Sequence, residues 1–446
     1  MCAETTNPAP ARPASPERHR DLIIDEGVRG WRAPTSVSPE AASFRRELGL
    51  PDDRAVVMTG HQPVFWHPGI LAKYFAADAV AARETDAGRP AVAAWCVPDH
   101  AAEDPGTVAF PRHLHGRWVR GETNLFGETG DLPEGLAQAR DRLLAAGGGS
   151  HAARQIAAQR ALLGERLGLA SPAPAVLATE KHTTDAFGSL IEAMARDPLA
   201  CVRAYNDAAR AHPDSGVRPL VVDERTPGNT ELPLWAVSGS GTLIGVRAGD
   251  LASTPASDLR PKALLFTGLL RALGCDLFIH GTGGGAYDLV TEEWLGSWMG
   301  WTLAPIGVVT ATLTLDLGIP DVTRADLRDA RWRAHHARHH PSMLGSGEGA
   351  RAAAARKREL VGAIAGASDT GERAALFAEM HRLLDRVRDE HAEAIAAFDR
   401  EAARVADALA SREIARDRSW AWVLHDDRDL LALRDAVVRT IRGNGS

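Results

Sequence analysis

Hydrophobic residues in the first third of the chain follow the periodicity of a βαβ unit. The segments 54–60 (RAVVMTG) and 89–97 (RPAVAAWCV) are continuous apolar runs, which are typical of buried parallel strands. Between them, 70–84 (ILAKYFAADAVAARE) places apolar residues at helical spacing. This order predicts a Rossmann-like parallel α/β sheet, whose ligand crevice lies at the carboxyl ends of its strands.

A second α/β segment is predicted further along the chain. Segments 217–224 (VRPLVVDE) and 232–239 (LPLWAVSG) resemble an antiparallel or edge pair of strands, and 263–274 is a predicted helix. The predicted strand 275–281 (CDLFIHG) then leads into a glycine-rich loop that opens a helix. A further strand is predicted within 302–315.

Helical periodicity dominates the part of the chain after about residue 321. One apolar seam keeps a spacing of three and four residues with a skip near His391, and it contains Leu376, Met380, Leu383, Val387, Ile395, Phe398, Ala402, Val405 and Leu409. Such a seam is a heptad pattern with a stutter. It predicts an antiparallel coiled-coil arm in which this helix pairs with a helix around 321–339.

These patterns predict four parts of the chain. Residues 1–20 are expected to form a disordered tail because they are rich in Pro and Ala. A Rossmann-like core is predicted for 21–320, with a helical insertion at about 121–197. The coiled-coil arm is predicted for 321–412, and 413–446 is expected to dock on the core.

Composition narrows the class of function. The net charge of −7 argues against broad nucleic-acid binding, because no basic surplus neutralises phosphates. The four cysteines (Cys2, Cys96, Cys201 and Cys275) form no CxxC pair, so the sequence indicates no zinc site and suits a reducing compartment. The first 20 residues lack the apolar core of a signal peptide, and no run has the length of a membrane span. We therefore expect a cytoplasmic protein that takes small-molecule substrates.

The first candidate site follows the first predicted strand. Gly60, His61, Gln62, His67 and Lys73 lie where that strand passes into a helix. Histidines there can bind an anion or move protons near neutral pH, and the helix N-terminus favours an anion. The alternative is that the glycines and prolines shape a turn that the histidines cap.

Two further candidates follow later strands. Asp99 and His100 form a pair suited to an oriented base, although a helix cap and a loop histidine explain them equally well. The segment 280–288 (HGTGGGAYD) contains His280, Gly281, Gly283, Gly284, Tyr287 and Asp288. Consecutive glycines before a helix let backbone N–H groups converge on an anion, but a purely structural turn fits as well.

Arg260 can hold a carboxylate or phosphate at a helix start, and Tyr205-Asn206 lies in a similar polar stretch. Each alone is more typical of a surface feature. The histidine-rich run 335–340 (HHARHH) has the density of a metal site, but it is more typical of a solvated helix end.

Four segments together resemble the bacillithiol synthases, the cysteine-adding enzymes. Residues 59–74 (TGHQPVFWHPGILAKY) resemble the TG(H/Q)Q signature of that family, and 95–104 (WCVPDHAAED) is similar to its W-x-x-x-E-D-H-D segment. LRPKALL (259–265) resembles its R-P segment, and 278–288 its glycine loop with the following Tyr. The chain departs from the family at Pro98, where an acid is expected, and at HGTGGG, which replaces GGPGE.

The resemblance implies a Rossmann-like core, a coiled-coil arm used for homodimerisation, and addition of cysteine to a glucosaminyl-malate amine with ATP or ADP as the nucleotide. It also implies a cleft lined by Gly60, His61, Gln62, Lys73, Asp99, His100, Arg260, His280, Gly281, Gly283, Gly284 and Tyr287. Within that cleft, His61 or His100 would be the base, and His280, Lys73 and Arg260 would hold anions. The alternatives are a nucleotide- or metabolite-binding protein without ligase activity and a related nucleotidyltransferase.

Overall fold

The computed structural model describes residues 19–99, 104–127, 130–148, 150–169, 175–178, 184–239 and 242–443. The chain forms two compact units. Unit 1 comprises Met1–Phe110, Glu122–Thr314 and Arg418–Ser446, and unit 2 comprises Pro111–Gly121 and Leu315–Asp417. Of the predicted tail, 1–18 lies outside the described residues. None of the described helices combines the length and the apolar character that crossing a bilayer requires.

The described secondary structure alternates between strands and helices up to residue 313 and is helical afterwards. In chain order the strands are β1 (His19–Ile24), β2 (Ala55–Gly60), β3 (Ala91–Val97), β4 (Thr107–Leu114), β5 (Arg117–Asn124), β6 (Ala175–Leu177), β7 (Glu231–Val237), β8 (Leu243–Arg247), β9 (Leu259–Pro261), β10 (Leu277–His280) and β11 (Ile306–Leu313). The helices are α1 (Glu26–Arg29), α2 (Pro39–Leu48), α3 (Pro68–Asp86), α4 (Glu134–Ala145), α5 (His151–Leu167), α6 (Asp185–Arg196), α7 (Pro198–Ala211), α8 (Ala263–Leu269), α9 (Thr282–Met299), α10 (Arg324–Ala337), α11 (Glu348–Gly366), α12 (Thr370–Glu390), α13 (Ala392–Arg416) and α14 (Asp427–Arg442).

The main sheet of unit 1 has the strand order β1-β11-β10-β2-β3-β6. All neighbours are parallel except β1, which runs antiparallel to β11 at the edge. The predicted α/β class with a parallel core is therefore confirmed. From β2 the chain continues through α3 to β3 on one side, and from β10 it continues through α9 to β11 on the other. The direction of winding thus reverses between β2 and β10, which is where open α/β sheets bind ligands.

Two apolar cores cover the faces of this sheet. Val57 belongs to one core together with Leu71 and Phe75 of α3, whereas Val56 and Met58 belong to the other. Successive side chains of a strand point to opposite faces, so a strand buried on both sides needs apolar residues at every position. This explains the continuous apolar run of β2. The first core also includes residues of α14, namely Leu430, Leu433, Val437 and Ile441.

The predicted pairing of 217–224 with 232–239 is wrong. In the structure β7 pairs with β8 and β9, both antiparallel, and 217–224 is not a strand. Asn206 accounts for this, because its side chain accepts from the Leu220 N–H at 2.7 Å and donates to the Leu220 carbonyl at 2.9 Å. Those backbone groups are therefore not available for a ladder, and the polar Tyr205-Asn206 stretch has a structural role.

Unit 2 contains the predicted antiparallel helical arm. Helices α10 and α13 pack together, with Ala330 against Val405 and with an ion pair of 2.6 Å between Arg338 and Asp399. Residue numbers rise along α10 as they fall along α13, so the two helices are antiparallel and the seam closes within the chain. The predicted stutter is a break at His391, which separates α12 from α13.

Candidate functional site

A cavity of about 460 Å³ opens in unit 1 at the carboxyl ends of β2 and β10. Ten of the residues predicted from the sequence line it, namely Gly60, His61, Gln62, His67, Lys73, His280, Gly281, Gly283, Gly284 and Tyr287. The pairing of Thr59 with Ile279 places the ends of the two strands side by side. The Thr59 hydroxyl also donates to the Ile279 carbonyl at 2.8 Å, which ties the strands together beneath the cavity.

Two helices begin at this cavity. The first, α3, is capped by His67, whose Nδ1 accepts from the Gly69 N–H at 3.1 Å. The second, α9, begins after Gly281 without any side-chain cap and without an acidic residue in its first turn. Unpaired N–H groups and the helix dipole make such a terminus attractive to an anion.

The glycines at the start of α9 are part of the helix. The predicted glycine-rich loop is therefore wrong, since Thr282 to Gly285 form the first turn. A Cβ at Gly284 would lie 2.4 Å from Nδ1 of His280, whereas a Cβ at Gly283 would meet nothing within 4 Å. Close packing against His280 thus requires glycine at 284, but not at 283. Gly60 is similarly restricted, because a Cβ there would lie 2.2 Å from Sγ of Cys96.

Lys73 is a buried cation in the wall of the cavity. Its ammonium donates to the Gly60 carbonyl at 2.7 Å, the one hydrogen bond it makes among the described residues. Its side chain is 4% exposed, and burial lowers the pKa of Lys73 to about 8. The group stays charged at neutral pH and keeps donors for a ligand.

His61 and His67 differ in which ring nitrogen carries the proton. Because the backbone N–H of Gly69 donates to Nδ1 of His67, the proton of that ring is assigned to Nε2. Nδ1 of His61 lies 3.4 Å from the Gln62 carbonyl, so Nδ1 is assigned the proton and Nε2 the lone pair. Burial and the charge of Lys73 lower the pKa of His61 to about 3, so His61 is neutral at neutral pH.

His280 belongs to a buried polar network. Its Nε2 donates to Oδ2 of Asp288 at 2.7 Å, and Arg271 donates to the same oxygen at 3.0 Å. Thr267 donates to the other carboxylate oxygen at 3.2 Å. Burial alone raises the pKa of Asp288, but the contacts with His280 and Arg271 outweigh it and lower that pKa. Burial lowers the pKa of His280, so the pair is a neutral imidazole held by a carboxylate.

Three of the predicted residues that the structure describes, Asp99, Arg260 and Asp288, are not among those lining the cavity. Arg260 lies on β9, where its guanidinium donates to the carbonyls of Ser257 and Leu259 at 2.6 and 2.8 Å. Asp99 lies close enough to raise the pKa of Arg260, although burial of Arg260 lowers it more. His100 lies outside the described residues. Asp288 is fully buried and contacts His280 and Thr267, both of which line the cavity.

Thr310 and Arg418 line the cavity and were not predicted, whereas Thr282 lies within the predicted segment 280–288. Arg418 donates to the hydroxyl of Thr310 at 2.9 Å. No motif marks either residue, because a lone Thr in a strand and a lone Arg after a helix are common. Among the described residues that line the cavity there is no aspartate or glutamate. No carboxylate within the described ranges therefore neutralises Lys73 or Arg418 inside the cavity.

The remaining histidine cluster lies in unit 2 at the end of α10. The rings of His335 and His339 are 5.1 Å apart, and those of His336 and His340 are 5.4 Å apart. No group of three or more His, Cys, Asp or Glu residues arranged for a metal ion occurs within the described ranges.

Comparisons with known proteins do not identify a family. No protein-family model matches the sequence, and no curated protein matches it. Among solved structures, a Campylobacter jejuni chain described as a "putative arginyl t-RNA synthetase" is similar with a TM-score of 0.28 and 12% identity. That match covers 87% of this chain and 91% of the other. At this TM-score it carries no argument, so the resemblance to bacillithiol synthases stays a prediction.

Proposed function

We propose that the cavity binds the phosphates of ATP and that the protein is an amide-forming ligase, which joins cysteine or another amino acid to an amine. One observation carries the proposal: the cavity lies where the winding of the sheet reverses and combines buried Lys73, the uncapped N-terminus of α9 and a lining free of carboxylates within the described residues. Such a site favours a polyanion over a neutral metabolite or a cation.

The residues divide the chemistry between them. Transfer of a phosphoryl group from ATP to the amino-acid carboxylate gives a mixed anhydride and releases ADP, whereas transfer of an adenylyl group releases pyrophosphate. The amine then attacks the carbonyl carbon, the C–N bond forms, the C–O bond breaks, and phosphate or AMP leaves. Lys73 and the first N–H groups of α9 stabilise the anionic leaving group. Nε2 of His61 accepts a hydrogen bond from the attacking amine, and the proton that the amine loses passes to the departing phosphate or AMP.

The acceptor is proposed from the sequence resemblance, which implies an aminosugar linked to malate. The test is a mass-spectrometric product scan with ATP, amino acids including cysteine, and a panel of aminosugar acceptors. We expect a product whose mass is that of acceptor plus cysteine minus water. Lys73→Met should lower its rate at least about tenfold, whereas Arg439→Gln, at an exposed position on α14, should leave it unchanged.

A second candidate is a nucleotide-binding protein without ligase activity. One observation favours it: Asp99 and Arg260, which the resemblance places in the cleft, are not among the residues lining the cavity. This candidate predicts ADP binding that Lys73→Met weakens, with neither product nor ATP consumption. Release of pyrophosphate from ATP without dependence on cysteine would instead indicate a nucleotidyltransferase. Folded protein that binds no nucleotide would contradict all three.

A further inference from the structure

Arg418 places a second, separate cation at the cavity. It is exposed, and its one hydrogen bond among the described residues is to the Thr310 hydroxyl at 2.9 Å. A guanidinium has five N–H donors in a planar fork, so most of them remain for a ligand. Thr310 is only 6% exposed and belongs to β11, so a rigid strand positions the guanidinium.

Strand register shows how far apart the residues that anchor the two cations, Gly60 and Thr310, lie. Gly60, the acceptor for Lys73, ends β2, and Thr310 lies two strands away because β10 separates β2 from β11. His280 pairs with Val308, so Thr310 is also two residues further towards the carboxyl end of the sheet. With strands about 4.8 Å apart and about 3.3 Å per residue, the two anchors are separated by roughly 12 Å.

Each cation lies within hydrogen-bonding distance of its own anchor, so Lys73 and Arg418 can contact different anionic groups. We infer that the cavity has two anion subsites, with Lys73 and the start of α9 holding phosphate and Arg418 holding a carboxylate of the second substrate. Arg418 suits a carboxylate because its fork can donate two parallel hydrogen bonds to two oxygens. The inference rests on the proposed function and adds to it the substrate class, an acceptor or amino acid that carries a carboxylate.

The test uses the full chain and two probes, inorganic pyrophosphate and succinate, in isothermal titration calorimetry. Succinate should bind to protein already saturated with pyrophosphate. Arg418→Gln should weaken succinate binding about tenfold or more and change pyrophosphate binding less than about twofold. Lys73→Met should weaken pyrophosphate binding about tenfold or more and change succinate binding less than about twofold. Arg418→Lys should bind succinate with an affinity between those of the parent protein and Arg418→Gln, because lysine keeps the positive charge but lacks the planar guanidinium. Arg439→Gln, with the same loss of charge, is the matched control.

The outcomes separate the two proposals. If pyrophosphate excludes succinate, or if Arg418→Gln weakens both probes equally, the two subsites are wrong while phosphate binding stands. If pyrophosphate binds and succinate does not bind at all, the carboxylate subsite is wrong. If pyrophosphate does not bind to the folded protein, the proposed function itself fails. Arg418 is exposed, so its variants should fold, and circular dichroism with thermal melting checks this.

Discussion

His280 donates Nε2–H to Asp288 across 2.7 Å, and both side chains are almost completely buried. Its other ring nitrogen faces Gly284, where a Cβ would lie 2.4 Å away. Both nitrogens of His280 are therefore held against other parts of the protein. This arrangement makes His280 a residue that positions the start of α9 and not the base of the proposed reaction.

The ion pair behind His280 should dominate the stability of this region. Arg271→Met would leave Asp288 as a buried carboxylate without its permanent counter-charge. We expect a loss of about 3–5 kcal/mol in the free energy of unfolding, measured by urea denaturation. Arg439→Met, an exposed arginine on α14, is the control and should change little. A loss below about 1 kcal/mol for Arg271→Met would show that the pair is not needed.

The neighbouring glycines Gly283 and Gly284 at the start of α9 should respond differently to replacement by alanine. Gly284→Ala places a methyl group against His280, so the ring or the helix must shift, at a cost of about 1–3 kcal/mol. Gly284→Ala should also lower the affinity for pyrophosphate. Gly283→Ala has open space and should leave stability unchanged or slightly higher, because alanine favours helix. Thermal melts and calorimetry on both variants check this, and equal behaviour would contradict the packing.

Binding of ADP should depend on the charge of Lys73. Because burial lowers the pKa of Lys73 to about 8, the ammonium loses its proton as the pH rises through that value. We expect ADP affinity to fall between pH 7 and 9, a range in which the phosphate, titrating near about pH 6, stays ionised. Lys73→Met should bind weakly at every pH. A fall of the same size in Lys73→Met would assign the effect to another group.

Asp78 of α3 should make the protein less stable at high pH. It is half-buried, it has no hydrogen bond or ion pair within the described ranges, and burial raises its pKa to about 7. The folded state thus keeps the proton up to about pH 7, whereas the unfolded chain releases it near about pH 4. The contribution of Asp78 to the free energy of unfolding is fully present below about pH 4 and is lost as the pH rises through about 7.

Asp78→Asn should therefore raise the free energy of unfolding at pH 8 by roughly 1–2 kcal/mol, allowing for partial exposure, and should change it little at pH 4. Asp141→Asn makes the same change of charge at an exposed position and is the control. Chemical denaturation at the two pH values measures both. A gain at pH 4 equal to that at pH 8 would exclude titration of Asp78 as the cause.

Homodimerisation through the helical arm stays a prediction of the sequence. The helices of unit 2 expose three large apolar side chains, Trp332 (54%), Val361 (50%) and Phe377 (42%). We expect light scattering to give a dimer that Val361→Glu with Phe377→Glu converts to monomer. Ile244→Glu changes an equally exposed residue of unit 1 and should have no effect. A monomeric parent protein would show this prediction to be wrong.

Local pattern was sufficient to predict the main elements of the fold. Apolar runs and helical spacing predicted β2, α3 and β3, and the heptad seam predicted that an arm helix pairs with α10. The positions of Gly60 and His280 in the cavity followed as well, because the carboxyl ends of parallel strands meet at one edge of a sheet. These features depend on periodicities of a few residues, which a sequence displays directly.

Only the tertiary structure decided which polar side chains share the cavity. Asp99 and Arg260 have the chemistry of a binding site but lie apart from its lining, whereas Thr310 and Arg418 line it without any local motif. Arg271 likewise acquires its role by meeting Asp288 in the interior. Such contacts depend on how distant segments pack and on which face of an element each side chain points to. The local order of residues does not encode either property.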